Sequence, residues 1–131
     1  MSAFLRDSPC QDYWRWLSVQ IRCALMPDEP RLIDRYLGQG AHVVCCTATA
    51  PWTVAETSLR LLLDTARDQA LPWHWRNLCL DQAWRPLRDL RAAATSLEHR
   101  RRWQGWAAQL AGCCLKPSIS STELLQGYSD E

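Results

Sequence analysis

The segment Leu71–Leu90, LPWHWRNLCLDQAWRPLRDL, constrains the fold most, because it concentrates three of the eight tryptophans, a histidine and a cysteine. It reads as a central helix. Pro72 suits a first helical turn, where a missing N–H costs nothing, and Trp73, Leu80, Trp84 and Leu87 recur at steps of seven, four and three. Those steps predict one buried face. Trp75, Leu78 and Cys79 lie on an adjoining arc, so the helix is expected to touch other elements on two sides. Pro86 is expected to kink it or divide it in two.

The flanking segments are also helical in pattern. A first helix is predicted from Gln11 or Asp12, with Trp14, Leu17, Ile21, Ala24 and Leu25 inward and Pro27 ending it. In Asp28–Gly40 the acidic start, Pro30 and a terminal Gly38 or Gly40 predict a short helix with Leu32, Ile33, Tyr36 and Leu37 in the core. The run AHVVCCTATA has strand-like composition but no partner strand to satisfy its backbone, so a short helix is favoured. Pro51 and a capping box Thr53–Glu56 predict a longer helix, buried along Trp52, Ala55, Leu59, Leu62, Leu63 and Ala66. A second box, Thr95–Glu98, opens a helix facing inward through His99, Trp103, Trp106, Ala107, Leu110, Cys113 and Cys114. A third, Ser120–Glu123, predicts a last turn. The expected fold is all-α: about six helices in one compact irregular bundle over residues 11–126, with a loose arm at 1–10 and a frayed tail at 127–131.

A chain of 131 residues suits one domain, and its net charge of +1 gives no global pull toward nucleic acid or an anionic membrane. Of the 15 basic residues only Lys116 is a lysine. The stripes Arg85, Arg88, Arg91 and Arg100, Arg101, Arg102 have carboxylates at helical spacing (Asp81, Asp89, Glu98), so local pairing explains them better than phosphate binding. No secretory leader or membrane-spanning run is read, which predicts a cytoplasmic protein. There the seven cysteines are expected to be reduced, mostly as small buried apolar groups. The adjacent pair Cys113-Cys114 is too close for an unstrained disulfide.

Two groups of residues stand out as candidate sites. Trp73, Trp75 and Arg76, in the run TrpHisTrpArg, have the side chains favoured at protein interfaces. Cys45, Cys46, His74 and Cys79 are the right atom types for zinc or iron. Their spacing is poor: Cys45 and Cys46 diverge in any regular structure, and His74 and Cys79 fall on different helical arcs. No nucleophile elbow, phosphate loop or metal-protease spacing is present, and no enzymatic activity or cofactor is expected.

The residues Asp28–Ile33, CysCysThrAlaThrAlaProTrpThrValAlaGluThr (45–57) and Leu71–Leu87, together with the final GlnGlyTyrSerAspGlu, resemble the small FagA-type proteins of pseudomonads over nearly the whole chain. The resemblance implies a genomic setting, iron-starvation operons shared with an iron-independent fumarase and a manganese superoxide dismutase. It supplies no catalytic or binding residues. The preferred expectation is therefore a non-enzymatic adaptor or regulator of the response to iron limitation, acting through a protein partner. The alternative is a small metal-handling or metal-sensing protein using the Cys/His set.

Overall fold

A computed structural model of the chain describes residues 8–119. The fold is all-α, with no strand among the described residues. Six helical segments follow in order: α1 Pro9–Arg22, α2 Arg31–Cys46, α3 Pro51–Arg67, α4 Trp73–Gln82, α5 Trp84–Ala92 and α6 Leu97–Ala111. The expected Ser120–Glu123 turn, the 127–131 tail and most of the 1–10 arm lie outside the described residues.

The central element is α3 rather than the tryptophan-rich segment. Ten of its 17 residues are buried, including every member of the predicted stripe from Trp52 to Ala66. It packs against α1, α2, α4 and α5, while α6 rests on α5. Pro51 opens α3 two residues before Thr53, so the predicted capping box is already inside the helix and Glu56 is turned into the protein. Leu59, Leu62, Leu63 and Ala66 are wholly out of water and meet Leu17 and Ile21 of α1, Leu32, Ile33 and Tyr36 of α2, and Trp75, Cys79 and Leu90 of α4 and α5 in one apolar cluster.

Several boundaries differ from the sequence expectation for physical reasons. Ser8 and Gln11 form a capping box that starts α1 at Pro9, inside the region expected to be a loose arm. Its end is also earlier than Pro27: Leu25 N–H bonds to Gln20 O (3.0 Å) and Ala24 N–H to Ile21 O (3.1 Å), the Schellman pattern. Ala24 takes the left-handed position at φ 50°, normally a glycine's place. Helix α2 runs straight through Gly38 and Gly40 and absorbs AHVVCC as far as Cys46. Gly40 is a packing residue, since a Cβ there would lie 3.0 Å from Val54 Cγ1 and 3.2 Å from Trp14 Nε1. Tertiary approach of three helices, rather than helix termination, explains this glycine.

Helices α4 and α5 are separated only by Ala83, which keeps a helical backbone. Pro86 has no N–H to donate to Gln82 O, and the ladder tightens there, Ala83 N–H bonding back to Leu80 O at 3.2 Å. The buried residues of the two pieces are Trp75, Arg76, Cys79, Ala83, Pro86 and Leu90. That face is turned by roughly a quarter of the helix from the predicted Trp73–Leu80–Trp84–Leu87 face. Trp73 and Trp84 are exposed instead; Leu80 and Leu87 are half-buried at the margin. Both arcs are apolar enough to pack, but the observed one reaches carbonyls of two other helices: Trp75 Nε1 donates to Ile21 O (3.0 Å) and Arg76 Nε to Ala66 O (2.8 Å).

Helix α6 begins one residue later than predicted, with Ser96 Oγ accepting from His99 N–H at 3.1 Å. None of its residues is buried, although Trp103, Trp106 and Leu110 pack partly against the core. Beyond Gly112 the chain leaves the helix and crosses back to the α3–α4 turn. Ile119 N–H bonds to Gln69 O (2.8 Å) and Ser118 Oγ donates to Leu71 O (2.6 Å).

Candidate partner-binding surface

Of the predicted interface trio only Trp73 is available to a partner. Its indole is 47% exposed, whereas Trp75 and Arg76 are both 0% exposed. Tryptophan-75 is a core residue that ties α4 to the end of α1, and Arg76 lies beneath the Trp73 ring, its guanidinium 5.3 Å from the ring centre. Trp84 has a parallel arrangement on the outer side of α5, half-exposed with Arg88 over its ring at 5.1 Å. These two tryptophans are eleven positions apart, close to three helical turns, and so lie along one outer ridge.

A further set of exposed apolar residues, on α1, was not singled out in the sequence. Tyr13, Trp16 and Val19 project from successive turns of α1 on the side away from its buried Leu17 and Ile21. Tyr13 and Trp16 stack with centroids 6.0 Å apart, and Trp16 is 53% exposed. Leu25 and Met26 follow as exposed residues in the turn after the helix. The signal was legible: Tyr13, Trp16 and Val19 recur every three residues off the Trp14–Leu17–Ile21 stripe, so α1 is apolar on two sides and only one meets the bundle.

His74 brings the two groups together. Its Nε2–H donates to Pro27 O (3.1 Å) and lies 3.3 Å from the Asp28 carboxylate, which anchors the first turn of α4 against the loop carrying Leu25 and Met26. Trp73 is the residue before this anchor, at the start of α4.

The proposed metal set is not gathered. Cys45 and Cys46 are exposed at the end of α2, Cys79 is buried beneath α4, and His74 is occupied at Nε2 by a carbonyl that only accepts. Burial pushes the Cys79 thiol up to about 12, so it stays protonated and is a poor ligand at neutral pH. His42, one turn before Cys46, places its imidazole nitrogens 3.5 and 3.6 Å from that sulfur. This is a pair, and among the described residues no group of three or more His, Cys, Asp or Glu side chains is arranged to hold a metal ion.

A second polar constellation joins α3 to α6. The Glu56 carboxylate is almost buried, binds Arg102 through one oxygen and accepts from Trp106 Nε1 (3.0 Å) through the other. Trp52 stacks on His99 at 4.0 Å and lies under Arg102. With Arg102 on one carboxylate oxygen and Trp106 on the other, Glu56 fastens α6 to α3.

Comparison with protein-family models, with curated proteins and with solved structures found no match. Among the described residues no helix is long and apolar enough to cross a membrane.

Proposed function

We propose that this protein is a non-enzymatic, cytoplasmic adaptor that docks a protein partner through the aromatic surface of α1, the following turn and Trp73. The observation supporting this reading most strongly is the exposed run Tyr13, Trp16, Val19, Leu25 and Met26 on one helix and its exit. Single exposed apolar residues are ordinary, but a series on one face withholds from burial the area that a small domain ordinarily needs for stability. Tryptophan and tyrosine dominate interface energetics because they add large contact area with little rotamer entropy. The setting is the response to iron limitation implied by the family resemblance, and that part of the proposal rests on the resemblance alone.

The test is capture from iron-starved cells with the full chain and with a Tyr13→Ala/Trp16→Ala variant. One reproducible partner, lost from the variant by at least about tenfold while helix content is unchanged, is the expected result. Equal capture by both proteins, or none by the parent, overturns the reading.

A further inference from the structure

Arg76 is a cation in the wrong company. It is 0% exposed, and its two bonded acceptors are neutral, Ala66 O at 2.8 Å and Ser118 Oγ at 3.0 Å. Its third nitrogen, Nη2, is buried with no hydrogen-bond partner among the described residues. Buried guanidinium groups are ordinarily paired with carboxylates, because an uncompensated charge in a low-dielectric interior is costly. The carboxylate next in line, Asp68, is already taken by Arg22 at 2.7 Å. Asp64 is exposed in an adjoining depression shared with Arg67.

Arg76 lines a cavity of about 310 Å³ whose other walls are Arg67, Gln69, Cys114, Leu115 and Lys116. Among the described residues the lining contains three cations and no carboxylate. Arg67 is engaged only weakly by Gln109 Oε1 at 3.4 Å, and no carboxylate is hydrogen-bonded to Arg67, Arg76 or Lys116 among the described residues. The volume suits one small ligand.

From these features we infer that the cavity between the end of α3, α4 and the 113–119 segment is a binding site for a small oxyanion, a phosphate or carboxylate group. Arg67 and Lys116 at the exposed rim attract the anion, and Arg76 on the floor supplies a charge that has Asp68 nearby, itself paired with Arg22, but no carboxylate bonded to it. The guanidinium is already oriented by Ala66 O, Ser118 and the Trp73 ring, so binding costs it little reorganisation. Because Nη2 has no exposure in the unliganded form, direct contact with it displaces part of the wall. Cys114–Lys116 is the part suited to yield, since among the described residues no backbone hydrogen bond ties it to the helices. This site uses different residues from the docking surface on α1, and its test is separate.

Full-length protein is titrated with sodium phosphate and, separately, sodium malonate, against sodium chloride at matched ionic strength, following melting temperature and heat of binding. Saturable one-site stabilisation by either oxyanion is expected, phosphate alone marking a phosphoryl ligand and malonate alone a carboxylate. Arg67→Gln/Lys116→Gln is expected to weaken affinity by at least about tenfold, the loss of one or two charge-assisted contacts, while the anion-free protein melts near the parent. Arg76→Lys tests the floor, and if it does not fold the rim variant still decides. Stabilisation no greater than that of chloride overturns the proposal. So does unchanged affinity in the rim variant, or an equal loss in the remote control Arg100→Gln/Arg101→Gln on α6.

Discussion

Helices α3 and α6 are similar in length and each carries tryptophan, yet they are held in different ways. Ten residues of α3 are buried and none of α6. The first is fixed by apolar area removed from water, which is non-directional and grows with every neighbour. The second is fixed by named pairs: Glu56 with Arg102 and Trp106, Trp103 Nε1 with Leu87 O (3.0 Å), Trp52 with His99, and Arg60 and Arg91 over Trp106 and Trp103. The contrast shows that in a small bundle aromatic content does not locate the centre. The Leu/Ala-rich stripe of α3 makes the core, while three of the eight tryptophans, Trp16, Trp73 and Trp84, stay exposed at its edge.

The comparison can be broken at its strong end. Leu62→Ala, at a site with 0% exposure, is expected to destabilise the whole domain by about 2–5 kcal/mol, read as a lower urea midpoint with all helices unfolding together. Loss of α6 alone would show that α3 is not the shared centre.

At the weaker end, Glu56→Gln keeps the shape but removes the charge facing Arg102 and one acceptor geometry for Trp106. A cost of about 1–3 kcal/mol is expected, concentrated in α6 and seen as faster amide exchange there than in α3. Uniform exchange across both helices would put Glu56 in the common core.

The smallest effect is a pH dependence on the α3 side. Burial pushes the Tyr36 phenol and the Cys79 thiol each up to about 12, above their ordinary values of 10.0 and 9.0. The folded state therefore favours the neutral forms, and the unfolded chain releases these protons first. Their stabilising contribution is complete below about pH 9 and declines as pH rises toward 12. The urea midpoint is expected to fall between pH 8.5 and about 10.5, and Cys79→Ala to fall less steeply. A slope identical to the parent's would mean that Cys79 is not sequestered.

The same contrast separates what was legible from what was not. The stripe of α3 was readable because Leu59, Leu62, Leu63 and Ala66 repeat with helical period among polar residues, and only one face is apolar. The outer position of Trp73 was not, because Leu71–Leu90 offers two apolar arcs and periodicity ranks neither. Of the candidate interface, Trp73 is accessible although the periodicity placed it on the inward arc, while Trp75 and Arg76 were drawn inside by carbonyls of α1 and α3 that are distant in sequence. The Cys/His set was separated for the same reason, each member following its own helix face.

By itself the sequence determined that the described chain is helical, where most helices lie, and which face of α3 is apolar, since these follow from local period, prolines and caps. Tertiary structure decided the rest: that Gly40 is a packing residue inside α2, that Glu56 holds α6 instead of capping α3, which tryptophans face solvent, and that Arg76 is buried with no carboxylate bonded to it. Each of these depends on atoms ten or more residues apart meeting or failing to meet, and no local pattern carries that information.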